Sequence, residues 1–510
     1  MKKSITPALL LTIIFAFCLN YSPLAQKNVP HNENIEAAFP LIDQLFKTYT
    51  VQFHLPGVVF GLIVDGKLIH TGNAGFSNLA EKIPVDNRSD FHIASMTKSF
   101  TAMAILKLRD EGKLRLDDPV YLYIPEMKGQ KYPSTDAAEI TIRNLLTHGA
   151  GFPEDNPWGD RQLGKTDQDL VSLIKKGVSF SNIPGLKYEY SNLGFTILGY
   201  IIKKVTGQSY QNYITENILT PLGMTHTYWE YSQVPAKELV HGYRLVDEKW
   251  VEQPFLHSGA YGAMGGLITT IDDFSKYIAF QLSAWPPRND AETGPVKRSS
   301  VREMQFPWNM NALMLQYKYP GGRSCPTVSA YCYGLGWSRD CTGKVFIGHG
   351  GGLPGFGSNW RSMPDYGIGI VSFSNLTYAP MSVVNTQVLD TLVQVAKLRP
   401  RELPISKILN QRKEELVKIL PAWENPEAVH IFAENFFLDY FIDDLRKEAG
   451  KIFREAGKIK HIGEITPLNN LRGFFRIEGE MKDVEIGFTL TPENPPMIQE
   501  YHIEIKEKAK

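Results

Sequence analysis

From Ser95 to Leu108 the chain is apolar almost all the way round a helical wheel. Such a helix has no face to offer water and must be enclosed on every side. Only a domain with several layers of structure can enclose it, and 510 residues supply the chain for roughly two to four domains. The helix reads to a stop at Gly112. With 43% hydrophobic residues there is material for a core. The 42 glycines and 32 prolines fall well short of the quarter or so that marks collagen-like or low-complexity chains.

Lys+Arg and Asp+Glu are 54 each, so no whole-chain field draws in nucleic acid or an acidic partner. Lys2 and Lys3 precede an apolar run from Ala8 to Leu19, followed by Ser22, Pro23 and Ala25. This reads as a signal peptide over residues 1–25, cleaved near Ala25, which predicts a periplasmic or secreted protein. Thr12, Asn20 and the prolines interrupt the run, which falls short of the roughly 20 apolar residues of a spanning helix. No stable membrane span is expected after cleavage. Cys18 follows the bulky Phe17, a poor context for a lipidated cysteine. Cys325, Cys332 and Cys341 share one short segment, which in an oxidising compartment predicts one disulfide and one spare thiol. No C-x-x-C or H-E-x-x-H occurs, so zinc is not indicated and no cofactor is expected.

The main domain is expected over residues 26–397. Val58 to Val64 and Lys67 to Thr71 flank Asp65-Gly66, a two-residue hairpin signal. Helical patterns run over Asp167 to Lys176, Leu193 to Val205 and Tyr210 to Leu219. Another helix starts at Thr270, with Asp273 completing a variant capping box. Strands follow at Val345 to Gly348, Ser358 to Met363 and Ile368 to Ser374. Leu398 to Pro404, charged and with two prolines, reads as the exit, so 398–426 is taken as linker plus helix. Residues 427–510 read as a small α+β domain, helical from Glu427 to Ala449. Its four strands are expected near His461 to Ile465, Arg472 to Glu478, Val484 to Thr491 and Gln499 to Ile505, in an antiparallel sheet.

Ser95-Met96-Thr97-Lys98 opens the enclosed helix. Residues three apart share a helix face, so the Ser95 hydroxyl and Lys98 amine can meet as nucleophile and base. Burial and the positive helix end both disfavour charge on Lys98. About two S-x-x-K matches are expected by chance in a chain of this size, and two occur. The other, Ser172-Leu173-Ile174-Lys175, lies inside an amphipathic helix and reads as structural. In Tyr190-Ser191-Asn192 an extended backbone would aim the first and third side chains into one cleft, with Tyr190 shuttling a proton and Asn192 orienting Lys98 and holding substrate. Tyr210-Gln211-Asn212 is a decoy, because helical spacing separates its side chains. His349-Gly350-Gly351-Gly352 follows a strand signal, and its glycines let a substrate lie against the backbone. Gly351 is assigned to substrate binding, and Gly352 is expected to donate one oxyanion-hole amide beside that of Ser95. His70, His257 and His461 also begin H-x-G. His257, followed by Gly259, Gly262, Gly265 and Gly266, is the serious rival.

In order and context these elements resemble the serine β-lactamases and penicillin-binding-protein-like hydrolases, nearest the branch of class C enzymes, D-Ala-D-Ala carboxypeptidases and esterases. The likeness runs from about Leu55 to Ser374. It includes F-H-I-A-S-M-T-K-S-F-T-A (91–102), G-K-L-R-L-D-D-P-V (112–120), T-I-R-N-L-L-T-H-G-A-G (141–151) and P-G-L-K-Y-E-Y-S-N-L-G-F (184–195), then G-G-L-I-T-T-I-D-D-F (265–274), Y-G-L-G-W (333–337) and G-H-G-G-G (348–352). The resemblance implies an antiparallel sheet flanked by helices, with a helical subdomain. It implies acylation at Ser95, proton handling by Lys98 and Tyr190, substrate binding by Asn192, and a third motif opened by His349. Many relatives have Lys at that last position, and a neutral imidazole is the weaker carboxylate anchor.

The resemblance therefore implies an exported hydrolase of an amide or ester, acting on a small-molecule or peptide substrate that includes cell-wall-derived D-alanyl peptides and β-lactams. A carboxylesterase of the same fold is one alternative, and a non-catalytic penicillin-binding-like sensor is the other. Asp117-Asp118-Pro119, Asp272-Asp273, His148, Trp337 and Trp360 read as structural. The C-terminal segment around residues 488–496 resembles NTF2-like modules, which would bind a ligand, mediate dimerisation or cap the main domain.

Overall fold

The computed structural model describes residues 35–508. The segment read as a signal peptide, residues 1–25, and Cys18 lie outside the described residues. The chain forms two compact units, the larger ending at Arg401 and the smaller running from Glu402.

The larger unit is built on nine antiparallel strands: β1 (Gly57–Val64), β2 (Lys67–Asn78), β3 (Ile83–Pro84), β4 (Asn309–Met314), β5 (Thr327–Tyr331), β6 (Gly336–Asp340), β7 (Val345–Leu353), β8 (Phe356–Met363) and β9 (Ile368–Ser374). Their spatial order is β3-β2-β1-β9-β8-β7-β6-β5-β4. The expected hairpin is present: Val64 pairs with Lys67, and Asp65 and Gly66 both take positive φ, 49° and 76°, as a type I′ turn requires. Every residue of β1 is buried because both sheet faces are covered. Val58, Phe60, Leu62 and Val64 enter one core, and Val59 and Ile63 the other, following the two-residue side-chain period of a strand.

Helices α1 (Phe39–Gln52), α2 (Lys98–Asp110), α3 (Asp167–Lys176), α4 (Asn192–Thr206), α5 (Ile271–Leu282) and α6 (Ser382–Val395) are the longest helices of this unit. α1 and α6 share the core on one sheet face. α5 packs on the other beside α2 and α4. In α2 every residue from Lys98 to Leu108 is buried except Lys107, the enclosure its sequence demands. Thr270 caps α5 by accepting from the Asp273 amide, but the reciprocal half of the capping box is not made. The Asp273 carboxylate instead takes the His226 amide, the Thr227 hydroxyl and Lys276, stronger partners than a single cap amide. The Tyr210 helix also departs from expectation, running as α-helix over Tyr210–Ile214 and continuing as a wider π turn over Thr215–Leu219. The disulfide joins Cys325 to Cys341, and Cys332 is a buried thiol.

In the smaller unit, α7 (Lys407–Ile419) and α8 (Ile442–Ala456) pack on β10 (Ile459–Asn469), β11 (Arg472–Gly479), β12 (Asp483–Leu490) and β13 (Ile498–Lys506), an antiparallel meander in chain order. Two boundaries are corrected. Leu409 and Leu416 of α7 are fully buried in the same core as Phe475 and Ile486, so this helix belongs to the C-terminal unit and not to a linker over 398–426. Glu427 to Ala449 is not one helix: a 3-10 turn at Pro426–Val429 and a short helix at Phe436–Asp439 precede α8, with Asn425 and His430 left-handed at the breaks. Among the described residues no helix is long and apolar enough to cross a membrane.

Candidate active site

Ser95 sits on a 3-10 turn, Ala94–Thr97, that runs directly into α2. Ala94 is buried with φ +50°, a left-handed conformation costing a non-glycine residue on the order of 1–3 kcal/mol. The turn is held on two sides. Ile93 donates its amide to Leu267 and its carbonyl accepts from Ser358 Oγ at 2.8 Å, while Thr97 Oγ1 accepts from the Leu267 amide. A Cβ on Gly351 would lie 2.2 Å from the Ile93 carbonyl oxygen, so only glycine lets β7 approach this turn so closely.

Lys98 is wholly buried. Its Nζ donates to Ser95 Oγ at 3.0 Å, Asn192 Oδ1 at 2.7 Å and the Met264 carbonyl at 2.8 Å, which accounts for all three ammonium protons. Burial pulls its pKa down to about 7, with Asp155 and Asp160 acting in the opposite direction. An amine that loses a proton here keeps two N–H groups and gains one lone pair. Asn192 Oδ1 and the Met264 carbonyl are acceptors only, so both N–H groups stay with them and the lone pair faces the Ser95 hydroxyl. Such an arrangement can serve as a general base aimed at a nucleophile.

Tyr190 lines the cavity beside Ser95, and Lys98 Nζ lies 5.0 Å from the centre of its ring. Burial holds the phenol well above its ordinary range, so it is a neutral donor at physiological pH. Asn192 is the first residue of α4 and not part of an extended segment: Ser191 is the N-cap, and the turn into the helix brings Tyr190 and Asn192 to the same amine. His349 lies on β7, where the strand runs on through all three glycines to Leu353. Its Nδ1–H donates to the Gly350 carbonyl at 2.5 Å, leaving Nε2 to accept from Tyr331 Oη at 2.8 Å. Burial and the nearby Lys98 lower its pKa to about 4, so the imidazole is neutral.

These groups meet at a cavity of about 420 Å³ lined by Ser95, Tyr190, His349, Gly351 and Gly352 on one side and Asn156, Asp160 and Tyr378 on the other. All seven residues singled out in the sequence, Asn192 through its bond to Lys98, converge here. The rivals do not. Lys175 is exposed beside Glu126, 3.9 Å away. Tyr210 donates to the Gly259 carbonyl, and His257 is exposed between Glu230 and Tyr231. Asp118 accepts from the Arg115 amide and Tyr123, Asp117 pairs with Arg143, and Asp272 with Asn87, as structural residues. A larger cavity, about 490 Å³, lies in the C-terminal unit among Glu427, His430 and Phe437, but it holds no activated nucleophile. Among the described residues no group of His, Cys, Asp and Glu could hold a metal ion.

Sequence reasoning missed the second wall. Asp155 accepts from the amides of Asn192 and Leu193 and from Ser191 Oγ, placing a carboxylate on the amino end of α4 where the helix dipole favours it. Asn156 Oδ1 accepts from Asn192 Nδ2 at 3.0 Å. A Cβ on Gly159 would meet the Asn192 side chain at 2.8 Å, so glycine there lets the 155–160 turn close on it. His148, buried and left-handed at φ +53°, accepts from the Ser191 amide through Nδ1, and its ring packs 4.2 Å from that of Tyr190. The Asp-Asn-Pro run at 155–157 was the available signal, a turn-forming cluster just ahead of the Tyr190 motif.

The family model described as Beta-lactamase matches residues 42–393. Protein flp of Staphylococcus aureus (strain N315) is 30% identical over 385 residues, covering 73% of this chain and 70% of that protein. Penicillin-binding protein 4* of Bacillus subtilis (strain 168) is 32% identical over 191 residues, 36% of this chain and 40% of that one. The structure of the octameric penicillin-binding protein homologue from Pyrococcus abyssi superposes with a TM-score of 0.59 at 23% identity, covering 89% of this chain and 91% of that one, which speaks to fold.

Proposed function

Because the chain belongs to the β-lactamase family of serine β-lactamases and penicillin-binding-protein-like hydrolases, we propose that it is an exported serine hydrolase that cleaves an amide or ester through an acyl-enzyme on Ser95. Neutral Lys98 takes the Ser95 proton as Oγ bonds to the substrate carbonyl carbon. The resulting oxyanion is held by the Ser95 and Gly352 amides. Tyr190, a neutral phenol, passes a proton to the leaving amine or alcohol and is reprotonated from Lys98. Water then attacks the ester at Ser95 by the reverse relay, releasing the acid and the free hydroxyl. The observation that carries this reading is Lys98: wholly buried, with only one of its three partners able to give a proton back.

D-alanyl peptides of cell-wall origin, β-lactams and related carbonyl compounds form the substrate class. Ester cleavage is the second reading, favoured by a His349 that is neutral and already committed to Tyr331 and Gly350, hence poor at anchoring a peptide carboxylate. Export is supported by the Cys325–Cys341 disulfide together with the character of residues 1–25.

The test is intact-protein mass spectrometry of wild type and Ser95→Ala after exposure to a fluorophosphonate, then to benzylpenicillin and a short-chain p-nitrophenyl ester. Phosphonylation of wild type alone is expected. A lasting penicilloyl adduct would point to cell-wall peptides, and fast ester turnover without one to an esterase. A folded wild type that takes no adduct would sink the proposal in favour of a non-catalytic sensor.

A further inference from the structure

The cavity beside Ser95 carries a fixed carboxylate and no cation. Asp160 lines it while only 5% exposed, a costly place for an anion without partners. Tyr378 Oη donates to Asp160 Oδ2 at 2.9 Å, and among the described residues Oδ1 accepts no hydrogen bond. Tyr378 is itself fixed. It stands at φ +57°, its amide bonds the Phe356 carbonyl at 3.0 Å, and a Cβ on Gly352 would touch its ring at 2.6 Å. One oxygen of the carboxylate is therefore held in place and the other is left for a donor.

Among the described residues no Lys or Arg lines this cavity. The Lys98 ammonium is buried behind Ser95 with every proton assigned, and His349 is uncharged. Arg161 and Arg244 lie near enough to act on Tyr378 but not on the cavity wall. A substrate carboxylate entering here would meet Asp160 with nothing to balance it. A protonated amine would supply the missing donor and form a charge-assisted bond.

Resting on the Ser95 acyl-enzyme reading, we propose that Asp160 narrows that substrate class, favouring esters or amides that carry a protonated amine near the scissile carbonyl and making those with a carboxylate there, a free D-alanyl carboxylate or a β-lactam included, the poorer substrates. The environment of Asp160 agrees. Burial raises its pKa to about 6, Asp155 and Glu154 push the same way, and Tyr378 and Lys98 push back, so it is ionised at neutral pH.

Three fluorophosphonates of matched length, ending in an amine, a methyl group or a carboxylate, test this without assuming an ester or an amide as substrate. Second-order rates of Ser95 phosphonylation at pH 7.5 are read by intact mass. The expected wild-type order is amine, methyl, carboxylate, with about tenfold or more between the extremes for one buried charge contact, and Asp160→Asn should bring that ratio to within about twofold. A wild type that favours the carboxylate or ignores charge overturns the proposal, as does an Asp160→Asn protein that slows all three probes equally and keeps their ratios. Should that variant fail to fold by thermal melt, the wild-type order decides. A wild type deaf to all three, or a Ser95→Ala protein still labelled, would instead bring down the Ser95 reading.

Discussion

Ser95-x-x-Lys98 and Ser172-x-x-Lys175 have the same spacing, the first on a 3-10 turn running into α2 and the second within α3, yet only the first buries its lysine. In α3, Ser172 is mid-helix and Lys175 points to solvent with a side chain 63% exposed, 3.9 Å from Glu126. An exposed ammonium keeps its hydration. In α2, Lys98 has lost all contact with water, and its proton is held only by the geometry of three acceptors. On the proposed reading it is burial, not spacing, that turns a lysine into a base.

The largest way to break this comparison is to remove the hydroxyls. Ser95→Ala should cost p-nitrophenyl ester hydrolysis on the order of 10⁴-fold or more, as loss of a nucleophile does, while Ser172→Ala leaves the rate unchanged. Equal losses would mean that α3 had been misjudged. Next come the lysines. Lys98→Met should lower kcat by about 10²–10⁴, the range of a general base, and Lys175→Met by nothing measurable in the same assay. A smaller effect is expected where His148 holds the Ser191 amide. His148→Ala should cost kcat roughly ten- to a hundredfold through misplacement of Tyr190, with KM little moved; a KM effect alone would assign His148 to binding. The gentlest probe is pH. Lys98 acts as a base only when neutral, and its pKa lies near 7, so kcat/KM should climb about tenfold per unit below that point and level off above it. A profile flat from pH 5 to 9 would show that Lys98 is not the titrating base.

A second contrast concerns buried ionisable groups. Lys98 is fully bonded, whereas Asp90, fully buried too, has no hydrogen-bond partner for either carboxylate oxygen among the described residues. Burial, with Glu238 and Asp273 nearby, raises its pKa to about 8. The folded chain thus holds a proton on Asp90 that the unfolded chain releases near pH 4. Its contribution to stability is present at low pH and is lost as pH rises through 8. Asp90→Asn should therefore raise Tm by a few degrees at pH 8.5 and less at pH 5. The opposite order would mean that Asp90 is ionised in the fold.

Much of the site was legible because its chemistry is local. Ser95 and Lys98 sit one helical turn apart at the start of a run that could only be buried. Tyr190 and Asn192 are two residues apart, and His349 to Gly352 are consecutive. The 155–160 turn was not legible. Asp155 meets Asn192 and Asp160 meets Tyr378 across 37 and 218 positions, and no short-range pattern encodes such pairs. The α7 assignment failed for a related reason. A charged, proline-bearing segment ahead of it looked like a linker, and only packing against the C-terminal sheet showed where its apolar face went.

Local chemistry in the chain was enough to specify an enclosed helix opened by a serine and a lysine, the hairpin at Asp65-Gly66 and the late antiparallel strands. Backbone preference and side-chain period act over a few residues, so these needed no tertiary context. The protonation of Lys98, the neutrality of His349 and the carboxylate that faces the cavity were decided only in the folded molecule. Each depends on which distant groups exclude water from the site, and desolvation belongs to the assembled core.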